Sequence, residues 1–231
     1  MGEGTHAQGA SMEILIPVAA RLLEDFFVDA PGRDTFVLAG GTALALADFQ
    51  HRRSDDLDFF SRQPGAVERF ARAIRTWGIE RGFEVSIDPE FDTRYQTRYR
   101  FGLGEEVVKI DLCVDSPPFL GEPRERGGIR YDARRNLFAS KLGAFFGRGE
   151  PKDAVDAYFI FSASGEDPAG LVSDALEKEV GRDLDSIARG LELFEPLDLP
   201  DSFLESYMIK PVSKAGMKAR FREVAAALRM A

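Results

Sequence analysis

Two aspartates stand one residue apart in residues 56–60, whose sequence (Asp-Leu-Asp-Phe-Phe) predicts a β-strand. Side chains two residues apart on a strand point to the same face, about 7 Å from each other along the chain. Asp56 and Asp58 would therefore present two carboxylates to one side of a sheet, while Leu57 and Phe59 enter the core. Two ionised carboxylates so close repel each other unless a divalent cation neutralises them. Mg²⁺, or alternatively Mn²⁺, binds carboxylates and completes its coordination on phosphates and water, so the pair predicts a metal site for phosphoryl transfer.

A third acid interrupts a second apolar segment. In residues 107–114, Val108, Ile110 and Leu112 fall on one face of a predicted strand, and Asp111 falls on the opposite face. An acid is unusual in such a segment. We expect Asp111 to lie beside the first two aspartates on a neighbouring strand, as a third metal ligand and as the general base nearest the attacking hydroxyl. The alternative for Asp111 is a salt bridge with a structural role.

A glycine pair supplies the second half of the predicted site. Gly40 and Gly41 follow a short apolar strand at residues 36–39 and precede Thr42, which opens a run of helix-forming residues. Glycine lets the backbone turn sharply and approach a ligand closely, and the N–H groups at the start of a helix attract anions. Gly40, Gly41 and Thr42 would then bind a nucleoside triphosphate that lies between this turn and the metal ions. Either motif alone is more often a simple turn or a solvated strand end, so the prediction rests on their order and spacing.

Further charged residues are candidates for binding the nucleotide. Lys141 and Arg148 lie two helical turns apart and share a face, where they would neutralise the triphosphate and the transition state; a solvated helix face is the alternative. Asp153 and Asp156 follow on a helix that Pro151 begins. Asp156 could orient Lys141 or Arg148 through an ion pair, and Asp153 could simply suit the positive end of its helix. The remaining nucleotide-binding candidates precede the aspartate strand: Arg52 and Ser54.

The composition restricts the kind of metal. The chain of 231 residues has one cysteine and two histidines, which excludes a zinc site built from these residues and leaves carboxylate oxygens as ligands. We interpret His51 and Cys113 as packed residues. A single cysteine also favours a reducing compartment, so we expect a cytoplasmic protein. No segment has the roughly 20 apolar residues of a membrane span, and residues 1–11 lack the features of a signal peptide.

The order of the predicted elements indicates an α+β fold. A first helix over about residues 12–27 is followed by mixed strands and helices to about residue 115, and helices dominate from residue 136. Prolines and a glycine pair between residues 116 and 135 predict a connecting segment. We therefore divide the chain into a disordered lead at 1–11, a core with a mixed sheet at 12–120, and a helical region at 121–231 that completes the active site and binds substrate.

These motifs together resemble the AbiEii/AbiGii toxin family of nucleotidyltransferases. Residues 40–46 (Gly-Gly-Thr-Ala-Leu-Ala-Leu) and 51–60 (His-Arg-Arg-Ser-Asp-Asp-Leu-Asp-Phe-Phe) are similar to the leading motif of the family. Residues 109–112 (Lys-Ile-Asp-Leu) are similar to its third-carboxylate strand, and residues 141–148 with 152–156 resemble its later helical motif. One departure is Gln50, which stands where a glycine is common in the family.

The resemblance implies a polymerase-β-like nucleotidyltransferase core that transfers NMP from an NTP, with Lys141 among its essential residues. Several members of the family are toxins that modify tRNA and are paired with an antitoxin. We accordingly expect an Mg²⁺-dependent enzyme that acts on an RNA 3′ end, above all that of tRNA, within a toxin–antitoxin or phage-defence system. Two alternatives stay open: nucleotidylation of a protein or small molecule, and a non-catalytic nucleotide-binding module.

Eight arginines are candidates to hold an RNA backbone, with Tyr95 and Tyr99 between them: Arg94, Arg98, Arg100, Arg124, Arg126, Arg130, Arg134 and Arg135. The net charge of −9 argues against unspecific binding of nucleic acid, and scattered arginines on an acidic protein usually promote solubility. A basic last helix, predicted over residues 214–230, is a second candidate, either as an RNA clamp or as a surface for a protein partner.

Overall fold

The computed structural model describes residues 14–178, 183–196 and 199–230. It divides into two compact units, the first ending at Asp132 and the second beginning at Ala133. The predicted lead at residues 1–11 lies outside the described residues. Within the described part of the chain, no helix is long and apolar enough to cross a membrane.

The first unit is built on one mixed sheet of seven strands in the order β3-β4-β5-β2-β1-β7-β6. Two neighbouring pairs are parallel, β2 with β5 and β1 with β7, and the other pairs are antiparallel. This arrangement confirms the α+β class and the mixed sheet. The strands are β1 Val37–Ala39, β2 Asp56–Ser61, β3 Glu84–Asp92, β4 Gln96–Leu103, β5 Glu106–Val114, β6 Arg124–Arg126 and β7 Ile129–Tyr131.

The helices of the first unit pack against this sheet. They are α1 Pro17–Asp29, a 3₁₀ turn Arg33–Thr35, α2 Gly40–Leu44 with a π-helical continuation Ala45–Phe49, and α3 Ala66–Glu80. Helix α1 begins later than predicted, because Ile16 is extended and Pro17 occupies the first helical position, where its missing N–H is not needed.

The apolar core lies between these helices and the sheet. The Phe26 ring of α1 stacks on Phe59 of β2 with ring centroids 3.9 Å apart, and the Tyr99 hydroxyl of β4 donates to the Ala71 carbonyl of α3 at 2.7 Å. Trp77 is buried here, as predicted. Because side chains alternate along a strand, the residues between these core positions face the other side of the sheet, where the predicted site residues lie.

A hairpin occupies part of the predicted connecting segment. Strands β6 and β7 are joined by Gly127-Gly128, both with positive φ (60° and 78°), which suits a two-residue turn that follows the twist of its strands. Tyr131 of β7 pairs with Leu38 of β1, so the hairpin extends the sheet. Residues 124–131 of the predicted connecting segment thus belong to a hairpin, because a glycine pair marks a tight hairpin as readily as a linker, while the boundary between the two units lies within residues 116–135. The first unit therefore extends beyond residue 120, where the sequence placed the end of the core.

The second unit is helical. Its described helices are α4 Arg134–Gly147, α5 Pro151–Ala163, α6 Pro168–Lys178, α7 Leu184–Glu192, α8 Asp201–Tyr207 and α9 Lys214–Leu228. The Phe221 ring lies at the centre of its core, 5.0 Å from the Phe145 ring and 4.8 Å from the Phe194 ring. The short helix α8 was not predicted; its described residues include none that is buried, so it lacks the apolar stripe by which a helix is recognised in a sequence.

Candidate active site

The register of the sheet brings the three predicted aspartates onto one face. Strand β2 pairs with β5 in parallel, so that Asp58 lies opposite Asp111 and Asp56 lies opposite Lys109. Directly paired residues point to the same side of a sheet, as do residues two apart on one strand. The convergence predicted from local alternation is therefore present in the backbone, and it depends on the parallel pairing of two strands that are distant in sequence.

Asp111 forms a two-pronged salt bridge with Arg98 of β4, its partner on the other side. The Arg98 Nε donates to Oδ1 at 2.7 Å and Nη2 donates to Oδ2 at 2.9 Å. The guanidinium also lies over the Phe91 ring, 3.7 Å from its centroid. The hydrogen bonds with Asp111 raise the pKa of Arg98, against the opposing effect of burial. Both carboxylate oxygens of the buried Asp111 are thus held in a fixed plane.

Asp56 also has a basic partner. The Lys109 Nζ lies 2.6 Å from Asp56 Oδ2, and each side chain is 30% exposed. Lys109 and Arg98 therefore offset part of the repulsion among the three carboxylates. Lys109 was not predicted to have a role, and Arg98 was predicted to hold RNA.

The donor set suits a hard cation more clearly at Asp56 and Asp58 than at Asp111. Within residues 14–178, 183–196 and 199–230, no three or more His, Cys, Asp or Glu side chains are grouped as they would be around a metal ion. Carboxylates two apart on an exposed sheet face are the oxygen ligands that Mg²⁺ takes, one or two at a time. Asp111, by contrast, has both oxygens bonded to Arg98. This is the salt bridge that was given as the alternative to metal binding for Asp111.

The glycine pair is pressed against this face. Gly40 has φ of 64°, and a Cβ added there would lie 1.8 Å from Asp58 Oδ2. A Cβ on Gly41 would lie 2.2 Å from the Arg52 Nη2. The positive φ and the contact with Asp58 together favour glycine at position 40, whereas a side chain at position 41 would displace the Arg52 guanidinium. The loop backbone thus passes close to the Asp58 carboxylate. Helix α2 begins at Gly40 itself, two residues before the predicted start.

Thr42 and Ser54 hold the loop to the aspartate strand. The Thr42 side chain is fully buried, and its hydroxyl donates to the Asp56 carbonyl. The Ser54 oxygen is 2.7 Å from the Thr42 oxygen; since Thr42 has one hydroxyl proton, Ser54 donates this second bond. Arg52 is 4% exposed and donates to the Arg53 carbonyl at 2.9 Å. The contacts in the structure position the strand, and the contact of these three residues with nucleotide stays a prediction.

His51 and Cys113 are packed, as predicted. His51 is fully buried and its ring meets the Phe49 ring edge-on at 5.9 Å. Burial raises the pKa of the Cys113 thiol, with smaller contributions from Asp111 and Asp58. A thiol held in its neutral form is a poor nucleophile, in line with the interpretation of Cys113 as a packed residue.

The predicted residues of the second unit form two ion pairs with α5. One basic residue lies within α4 and the other directly follows it. Lys141 Nζ lies 2.9 Å from Asp156 Oδ2, and the Asp156 side chain is fully buried. Arg148 donates to both oxygens of Asp153, at 2.7 and 3.0 Å, and Asp153 is also fully buried. Asp156 is therefore the ion-pair partner of Lys141, one of the two possibilities foreseen, while Asp153 is neither a surface charge nor merely a favourable first-turn acid.

Most arginines assigned to RNA hold acceptors of the protein itself. Arg124 binds both oxygens of Asp48, at 2.9 and 2.8 Å. Arg130 donates to the Asp34 carbonyl, and Arg98, Arg134 and Arg135 pair with Asp111, Glu166 and Asp174. The basic last helix is similarly balanced, because its four basic side chains lie within 4 Å of acids: Lys214, Lys218, Arg220 and Arg222. These side chains stabilise the fold.

The fold, and the three aspartates on one face of its sheet, identify the protein as a nucleotidyltransferase. The family model described as nucleotidyl transferase AbiEii toxin, of type IV toxin–antitoxin systems, matches residues 21–230. The chain belongs to this family, as its motifs predicted. No curated protein matches the chain.

Two solved structures share the fold. JHP933 from Helicobacter pylori has 18% identity and a TM-score of 0.58, over all of this chain and 93% of that chain. MenT4, a nucleotidyltransferase toxin from Mycobacterium tuberculosis H37Rv, has 18% identity and a TM-score of 0.56, over 97% of this chain and 87% of that chain. Their likeness confirms the architecture.

Substitution of Gly40 by alanine should lower the free energy of unfolding more than the same substitution at Gly104, a glycine with the same φ but open space around it. Gly104 also has φ of 64°, but a Cβ there meets nothing within 4 Å. Gly104→Ala should cost about 1–2 kcal/mol for the left-handed backbone. Gly40→Ala should cost a further 1–3 kcal/mol, roughly, since Asp58 must move. Urea unfolding of both variants measures the difference, and equal losses would contradict the close contact at Asp58.

Loss of Lys141 should destabilise the second unit as well as affect activity. Lys141→Ala leaves the buried Asp156 charge without its ion-pair partner, which costs about 3–5 kcal/mol. Replacing both partners by apolar residues, as in Lys141→Met/Asp156→Leu, should restore most of that stability. Thermal unfolding of the single and double variants tests this; if the double variant is no more stable than the single one, the ion pair does not explain the loss.

Proposed function

We propose that this protein transfers NMP from an NTP to a hydroxyl at the 3′ end of an RNA, with tRNA as the favoured acceptor, and that Mg²⁺ (or Mn²⁺) is its cofactor. The observation that supports the reaction best is the close approach of the Gly40 backbone to Asp58 on the face shared with Asp56 and Asp111. The RNA acceptor, the cytoplasmic location and a cognate antitoxin are inferred from membership of a toxin family.

Asp56 and Asp58 would hold the divalent ion. When bound, such an ion polarises the phosphate and neutralises charge on the leaving group. The acceptor oxygen forms a bond to the α-phosphorus, the bond from that phosphorus to the bridging oxygen breaks, and pyrophosphate leaves with the electron pair. Lys109, once released from Asp56, is a compact cation suited to a phosphate oxygen.

Asp111 would accept the proton of the attacking hydroxyl. Each carboxylate oxygen has two acceptor positions, so the two bonds from Arg98 leave one further acceptor position on each oxygen of Asp111. Arg98 orients the carboxylate in its plane. In this arrangement Asp111 acts as the base while Asp56 and Asp58 bind the ion, which agrees with the different charge partners of Asp111 and Asp56.

Transfer is tested by incubating the protein with each α-³²P-labelled NTP, Mg²⁺ and total tRNA. Asp56→Asn/Asp58→Asn should lower labelling of RNA by at least about 100-fold, in proportion to the electrostatic stabilisation lost. Asp55→Asn is the matched control, because Asp55 is an exposed neighbour that precedes the strand, and it should label RNA normally.

The distribution of label separates the alternatives. Label on protein in place of RNA would replace the proposed acceptor. No label from any NTP, with every variant folded, would favour the non-catalytic nucleotide-binding module. Label on RNA that is unaffected by the double substitution would remove the two aspartates from the mechanism.

A double-mutant cycle distinguishes the roles of Arg98 and Asp111. If Arg98 serves to hold a nearly buried base, Arg98→Ala and Asp111→Asn should each lower both stability and labelling, with a coupling energy of about 0.5–3 kcal/mol in unfolding. Asp111→Asn should abolish labelling. Arg98→Lys should label RNA more strongly than Arg98→Ala does. Full labelling by a folded Asp111→Asn variant would leave Asp111 with the structural salt bridge alone.

A further inference from the structure

A groove in the first unit carries arginines that the mechanism does not use. It lies between α3 and the β3–β4 edge of the sheet and has a volume of about 970 Å³. Four arginines and two acids are among the residues that line it: Arg69, Arg72, Arg75, Arg94, Glu68 and Asp92. The groove therefore has an excess of positive charge, on a protein whose net charge is −9.

Within the described part of the chain, these four arginines differ from Arg98, Arg124, Arg134 and Arg135 in having no carboxylate partner within 4 Å. Arg69 lies over the Phe70 ring, and Arg94 lies over the exposed Tyr95 ring at 4.5 Å from its centroid. Their guanidinium charge is thus available to a ligand.

The chemistry of the groove suits a phosphate backbone. Guanidinium groups bind phosphate oxygens with paired N–H donors. Tyr95, which is 56% exposed, follows Arg94 and accepts a hydrogen bond from its guanidinium, so it neighbours the groove without belonging to its lining. A protein partner would require an apolar centre for its anchor residues, and the exposed residues of this groove are mainly charged or polar.

We propose that this groove binds the sugar–phosphate backbone of RNA, and the proposal rests on the RNA acceptor of the proposed function. The groove is linked to the aspartate face through β4. Thr97 lines the groove, and the next residue, Arg98, points to the opposite face and binds Asp111. RNA held here lies at the edge of the sheet that carries the aspartates.

The test compares two triple variants that remove the same charge. The groove variant is Arg69→Ala/Arg72→Ala/Arg75→Ala, which places a strong helix former at three exposed positions of α3. The control is Arg21→Ala/Arg189→Ala/Lys210→Ala, at exposed positions outside the groove. Binding of fluorescently labelled tRNA is followed by anisotropy with Mg²⁺ and without NTP, so no transfer is required. Circular dichroism confirms that each variant is folded.

Three phosphate contacts contribute about 2–3 to the slope of log affinity against log salt concentration. The wild-type protein should therefore lose roughly 20- to 40-fold more affinity than the groove variant between 50 and 200 mM salt. The control variant should retain the wild-type slope. Equal losses in the two variants, or a wild-type slope in the groove variant, would overturn the proposal.

Two further results separate this proposal from the proposed function. If the groove variant loses binding but the wild-type protein labels no RNA, the groove still binds RNA and the transfer hypothesis fails. If the groove variant binds tRNA normally and RNA is labelled, the transfer hypothesis stands and the groove is excluded. Polyglutamate that competes as well as RNA of equal charge would show that the groove selects for charge alone and would overturn the assignment to RNA.

Discussion

Like charges gathered on one face of a sheet repel each other, and the first unit is arranged around that repulsion. Parallel pairing of β2 with β5 brings Asp58 opposite Asp111, and strand alternation adds Asp56 to the same side. In a partly buried site this repulsion is only weakly screened. Arg98 and Lys109 offset it from the flanking strand positions. A divalent ion that binds here must therefore compete with the positively charged side chains of Arg98 and Lys109. The affinity of the site for the ion then depends on these two side chains.

The second unit uses buried ion pairs to orient two helices. Consecutive residues of α4 are buried on several sides, including Leu137, Phe138 and Ala139, so burial of apolar surface alone specifies its rotation poorly. Two ion pairs, Lys141 with Asp156 and Arg148 with Asp153, select one rotation of α4 relative to α5. A different rotation of α4 would break them. Such pairs add little net stability over apolar contacts, but the loss of one partner is costly.

Local periodicity accounts for what could be predicted from the sequence. Alternation along a strand identified the common face of Asp56 and Asp58 and the isolated position of Asp111, and the glycine pair identified the loop above them. The partner of Asp111 was not predictable in this way, because Arg98 is brought to it by the register of the β4–β5 hairpin. The β6–β7 hairpin was missed because a pair of glycines has the same composition in a turn and in a linker.

The parallel pairing of β2 with β5 also has a consequence for the order of folding. Strands β3, β4 and β5 form successive antiparallel pairs with short connections, which close with little loss of chain entropy. Strand β2 can join β5 only after the chain has passed through α3 and this three-stranded meander. Chain entropy therefore favours contact of Asp111 with Arg98 before Asp58 joins the face. An acidic face completed in that order would receive its last carboxylates beside a strand whose own acid is already paired.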